Sequence, residues 1–178
     1  MKKLLFITIL SLLGYTTTQA QVFKLGANVG IPLGDASDVS NFAVGADFYV
    51  YFLEADSFFN IGANVGYRNF FRKDSEDDYT FQSSDFHFDN ISYLPVTAAA
   101  RFTLASTFYA GADVGYAFGL SDNTDGGFFA KPVIGIDIAN VIEVFLAYDM
   151  YTAEYKLSEV HGLDYKFSSL NAGVLIEF

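Results

Sequence analysis

Three groups of ionisable residues stand out in this sequence, and each suggests a different chemistry. Lys24, Arg68, Arg101 and Lys131, with Asp47, Asp113, Asp137, Glu143, Asp149 and Glu177, sit singly within apolar segments, four cations against six anions. Charges of both signs set among greasy residues form a buried ion-pair network or line a narrow cation-preferring path. A second group is the acidic run Asp74, Glu76, Asp77, Asp78 and Asp85. Asp74, Glu76 and Asp78 have the spacing of a calcium loop, but Tyr79 stands where that loop needs Gly for its turn, which favours a solvated acidic loop. Asp122 and Asp125, beside Gly126 and Gly127, read as turn residues. Third come the two histidines, His87 and His161, with Ser83, Ser84, Ser158 and Glu159 nearby in sequence. Nucleophilic catalysis needs a nucleophile, a base and an orienting group, and no spacing here selects such a triad. The expectation is a non-enzymatic chain with no catalytic, cofactor-binding or metal residue. The absence of Cys excludes a disulfide framework, a thiolate metal site, a Cys nucleophile and an acylated lipoprotein N-terminus.

The elements that must position these charges follow from hydropathy. Of 178 residues 52% are hydrophobic and 18% aromatic, yet beyond the first stretch no run of about 18 apolar residues exists, which excludes a protein of spanning helices. Residues 1–20 read as a cleaved secretory signal peptide: Lys2 and Lys3, the apolar run Leu4 to Leu13, then Thr18-Gln19-Ala20 before a cut at Gln21. Losing the two lysines takes the formal charge from −11 to −13, which disfavours nucleic acid and anionic lipid as partners.

Residues 21–178 form a single domain of eight segments with apolar residues at every second position, the period of a strand with one greasy face. The first carries Phe23, Leu25, Ala27, Val29 and Ile31 on one face and Lys24, Gly26, Asn28 and Gly30 on the other. The last carries Leu170, Ala172, Val174, Ile176 and Phe178 opposite Asn171, Gly173 and Glu177. Connections alternate between long (32–41, 71–89, 120–127, 152–165) and short (54–57, 105–107, 139–142). Gly26-Ala-Asn-Val-Gly30, Gly62-Ala-Asn-Val-Gly66 and Gly111-Ala-Asp-Val-Gly115 repeat one wall pattern, in which inward Gly leaves room for neighbouring inward side chains. No helix follows these glycines, so they are not a dinucleotide loop.

The polar face decides which side meets water. It holds mainly Gly, Asn, Asp and Tyr with scattered charges, suited to a crowded interior rather than a solvated exterior. Apolar-face aromatics gather in two bands: Phe23, Phe52, Phe59, Phe102, Phe108 and Phe178 at the short-turn end, and Phe42, Tyr67, Phe118 and Phe128 at the long-loop end. Two girdles around an aliphatic belt match the two interfaces of a membrane. The signal peptide, the eight alternating segments and the terminal strand Leu170-Asn-Ala-Gly-Val-Leu-Ile-Glu-Phe178 resemble the outer-membrane β-barrel domain family, also called porin-family proteins, and more distantly the small OmpA/OmpX-type barrels. Pro95 in Tyr93-Leu-Pro-Val96 is similar to a Pro that many members carry in a central strand.

The resemblance implies an all-β, eight-stranded antiparallel up-and-down barrel in the outer membrane of a Gram-negative bacterium, with outer-membrane lipid around it and no cofactor. It also implies insertion by the barrel-assembly machinery, read from Phe178. Closure makes the first and last strands neighbours, so Lys24 and Glu177 are expected to pair. The leading functional expectation is a membrane-structural or surface-interaction role through extracellular loops, the ligand being unspecified. A small porin for ions or polar solutes is the alternative, and a soluble lipocalin-like carrier is third.

Overall fold

The computed structural model describes residues 21–55, 58–72, 90–104, 107–121, 126–139, 141–155 and 163–178. Eight strands, β1 (Val22–Leu33), β2 (Ser40–Ala55), β3 (Phe59–Arg72), β4 (Ile91–Leu104), β5 (Phe108–Gly119), β6 (Gly127–Ile138), β7 (Ile142–Tyr155) and β8 (Leu163–Glu177), close into a barrel in chain order. Every neighbouring pair is antiparallel, and β8 returns onto β1 with Lys24 opposite Glu177 and Leu33 opposite Ser168. Closure leaves no sheet edge around the wall, which is what a strand protein in lipid requires of its backbone.

Period-two alternation sets the two faces. Along β1, Leu25, Val29 and Ile31 are exposed while Lys24 and Asn28 are buried, and the same outward and inward split runs through the other seven strands. The expected girdle aromatics sharpen the picture: Phe52, Phe59, Phe102, Phe108 and Phe178 at the turn end and Phe42, Tyr67, Phe118 and Phe128 at the loop end are all exposed, with Phe23 half-buried beside Phe48 and Phe178. An exterior of this kind stands against water only when lipid covers it. Among the described residues no helix is long and apolar enough to cross a membrane, so the strands carry the span.

Two expected connections are corrected. Residues 32–41 are not a long loop: β1 continues through Leu33, and a one-turn helix α1 (Asp35–Val39) leads directly into β2 at Ser40. Pro32 does not stop the strand, because a missing N–H is tolerated at a strand end. Gly34, at φ 60°, makes the turn into α1 that a side-chain-bearing residue would resist, and Ser37 N–H donates to its carbonyl at 2.9 Å. Ala36 of α1 is buried in the loop-end core. The last connection is also narrower than 152–165, since β7 and β8 stay paired to Tyr155 and Leu163. Aromatic and β-branched residues at Tyr151, Thr152 and Phe167 favour extended backbone where that hairpin leaves the barrel body. The signal-peptide residues, Asp74, Glu76, Asp77, Asp78, Asp85, Ser83, Ser84, His87, Asp122, Asp125, Ser158, Glu159 and His161 lie outside the described residues.

Candidate functional site

An eight-stranded barrel is just wide enough for its inward side chains to fill it. Here they do so in tiers. At the loop end Phe70, Tyr93, Phe129, Tyr151 and Phe167 pack with Ala36, Ala43 and Ala117. Tyr93 and Tyr151 stack at 4.4 Å between centroids, and Phe70 meets Tyr93 at 5.8 Å and Phe167 at 6.0 Å. Nearer the turns a second cluster joins Tyr49, Tyr51, Tyr109, Val133, Phe145 and Leu175 with Ala99 and Ala147.

Between and beneath these aromatics runs one connected polar network. Arg68 on β3 reaches across the lumen, donating from Nε to Asp149 on β7 at 2.7 Å and from Nη2 to Asp47 on β2 at 3.0 Å. Lys131 on β6 meets the other Asp47 oxygen at 3.0 Å and donates to the Tyr49 hydroxyl at 2.9 Å. That hydroxyl donates in turn to Asp113 at 2.6 Å, whose second oxygen takes Arg101 Nη1 at 2.6 Å. Asn28 and Asn64 donate to Asp47 at 2.9 and 3.0 Å, so this carboxylate receives four different side chains. Arg101 and Lys131 also lie over the Tyr49 ring at 5.2 and 5.5 Å, which adds a cation–π contact to each desolvated charge. Arg68, Asp113, Lys131 and Asp149 are wholly buried, and Asp47 is 1% exposed. Buried ions persist only when paired and hydrogen-bonded, and removing one partner typically costs about 3–5 kcal/mol.

The remaining charges gather at the turn-end mouth. Lys24 pairs with Glu143 on β7, past the intervening strand β8, and with its register partner Glu177 at 2.9 Å. Asp137 on β6 stands directly opposite Glu143 on β7, and the carboxylates of Asp137, Glu143 and Glu177 lie within 4.8 Å of one another. All ten lumen charges expected from sequence thus face inward, in two groups, and Phe178 lies on the outer wall with its N–H donating to the Phe23 carbonyl at 3.0 Å.

Sequence reading passed over the inward aromatic and aliphatic residues Phe70, Phe129, Val133, Phe145, Tyr151, Phe167 and Leu175. Each sits at an even spacing from an inward polar residue on its own strand: Phe129 and Val133 flank Lys131, Phe145 follows Glu143, and Leu175 precedes Glu177. Counting alternation outward from those positions is the signal that finds them.

No protein-family model matches this chain, and no curated protein matches it. Solved structures are similar to it. Ail, the attachment invasion locus protein of Yersinia pestis, superposes with a TM-score of 0.56 at 12% identity, over 90% of this chain and 100% of that one. Neisserial surface protein A gives 0.47 at 14% identity over 89% and 97%. A major outer membrane protein from Thermus thermophilus gives 0.41 at 11% identity over 90% and 100%. The likeness to Ail carries a fold and not a role. With the closed antiparallel topology and the apolar exterior, it shows that the chain has the fold of the small eight-stranded outer-membrane β-barrel proteins.

Proposed function

We propose that this chain is an integral outer-membrane barrel with a sealed lumen, exported by a leader spanning residues 1–20, that supports the membrane or meets surface ligands through its outer loops. One observation carries the reading: the cross-section of the lumen is occupied by the paired charges of Arg68, Asp47, Lys131, Asp149 and Asp113, capped by the Tyr93 and Tyr151 tier. A conducting pore keeps its charged residues solvated, whereas these have lost contact with water. A soluble carrier needs an apolar cavity and a polar exterior, the reverse of the arrangement here. A lipid-covered wall and a rigid, filled body leave the loops as the part free to meet partners. Phe178, exposed on the outer wall at the turn end, stands ready for recognition by the barrel-assembly machinery during insertion.

Fractionation of expressing cells tests the location: the chain is expected with the outer membrane, migrating faster on gels before boiling than after. Swelling of proteoliposomes in small sugars tests the seal. No swelling beyond that of empty vesicles is expected, and swelling that depends on solute size would replace this reading with the porin.

A further inference from the structure

Hydrolysis of the peptide bond between Ala20 and Gln21, the cut expected of the leader, leaves a glutamine at the head of the mature chain. A glutamine in that place has a chemistry of its own. Attack of its α-amine on its side-chain Cδ closes a five-membered ring, and two groups tethered in one residue react with the effective concentration of a preassembled pair. An α-amine gives up its proton at about 7.7–8.0, so at neutral pH part of it is a free nucleophile. Before the cut the same nitrogen is an amide and cannot react, so the hydrolysis must come first.

The fold decides whether the ring can close. Gln21 is exposed and precedes β1. The β1–β2 ladder begins at Val22 opposite Tyr51, and on the β8 side the last bond runs from the Phe178 N–H to the Phe23 carbonyl. Gln21 thus stands one residue beyond both ladders, and a reaction that consumes only its own nitrogen breaks no bond of the wall. From the next residue onward the chain is held: Val22 packs on the turn-end cluster, and the Phe23 ring lies between Phe48 at 6.2 Å and Phe178 at 6.4 Å. Alternation puts Gln21 on the face of Phe23 and Leu25, beside the turn-end girdle. An ammonium in that place has aromatic rings for neighbours, and an uncharged lactam carries no charge to desolvate.

We infer that Gln21 is a modification site, at which the mature chain closes its N-terminus as pyroglutamate; this rests on the leader reading proposed above. The α-nitrogen forms a bond to Cδ, the Cδ–Nε2 bond breaks, and the carboxamide nitrogen leaves as ammonia, taking one proton from the amine. The step needs no oxidant, no metal and no water. It removes the positive charge of the N-terminus from the girdle and closes the head of β1 to aminopeptidases.

The full-length chain, expressed in a Gram-negative host and taken from the outer membrane in cold neutral buffer, is incubated at growth temperature and its N-terminal tryptic peptide is followed by tandem mass spectrometry. An isotope-labelled peptide of residues 21–24, present from lysis onward, serves as the clock for unhindered closure. We expect a peptide of residues 21–24 lighter by one ammonia, accumulating in the folded barrel as fast as in the free peptide, because residue 21 is outside the ladders. Gln21→Ala should keep an open amine throughout. A chain that begins at Gln21 and stays open after the free peptide has closed would overturn the modification while leaving the leader reading intact. A chain that begins at Met1, or at any residue other than 21, would overturn both. An equally blocked N-terminus in Gln21→Ala would show that the glutamine side chain is not the reacting group.

Discussion

Midway along the lumen three cations, Arg68, Arg101 and Lys131, face three carboxylates, Asp47, Asp113 and Asp149, all removed from water. At the turn-end mouth Lys24 pairs with Glu143 and Glu177 beside Asp137, and Asp137 and Glu177 are half-exposed. The same side-chain types thus obey different rules within one barrel. In the middle nothing but protein can compensate a charge, so the network balances one for one and each ion is held by its neighbours. At the mouth water reaches the carboxylates and shares in compensating their charge. The middle is therefore a seal and the mouth is an open, charged rim.

The largest effect is expected where the seal is broken. Arg68→Ala takes from Asp149 the cation bonded to it, and from Asp47 one of two, in a space without solvent, and should destabilise the barrel by about 3–5 kcal/mol, read as a shift in urea unfolding from lipid vesicles. If the loss were below about 1 kcal/mol, the middle would be as forgiving as a surface pair. Next comes the wall that encloses both regions. Val114, on the lipid face between Phe108 and Phe118, is 47% exposed, and Val114→Lys should cost about 2–4 kcal/mol at the bilayer midplane. The same change in a water-exposed exterior would cost almost nothing, so this variant separates a membrane barrel from a soluble one.

Gly111 lies at the step from the seal to the rim, where an added Cβ would meet the Ala100 carbonyl and the Arg101 side chain. Gly111→Val should destabilise by about 1–3 kcal/mol through overpacking, with Arg101 displaced from Asp113. The smallest change is expected at the rim. Glu177, with 28% of its side chain exposed, shares Lys24 with Glu143, so Glu177→Gln should alter stability by less than about 1 kcal/mol.

Strand number, faces and girdles were legible in the sequence because a one-sided strand writes its own period of two. Alternation marks Lys24, Asp47 and Arg68 as inward without any knowledge of their partners. It is hardest to read where both faces are apolar, as at Val144-Phe145-Leu146 and Val174-Leu175-Ile176, since the inside is marked there only by a polar residue two positions away, Glu143 or Glu177. It also cannot choose partners across the lumen. Lys24 and Glu177 are paired by closure alone, but Lys24 with Glu143 and Arg68 with Asp149 depend on how strand stagger sets the heights of non-adjacent strands. The short link through α1 escaped for a related reason: Asp35, Ser37 and Asp38 carry loop composition, while buried Ala36 alone ties the turn to the core.

The most direct test of a sealed lumen is single-channel recording of the folded mature chain in planar bilayers under a salt gradient. The account predicts silence from the parent chain, with openings appearing only when Arg68 is truncated. Reproducible cation-selective steps from the parent chain, altered by Asp47→Asn or Asp149→Asn, would contradict it.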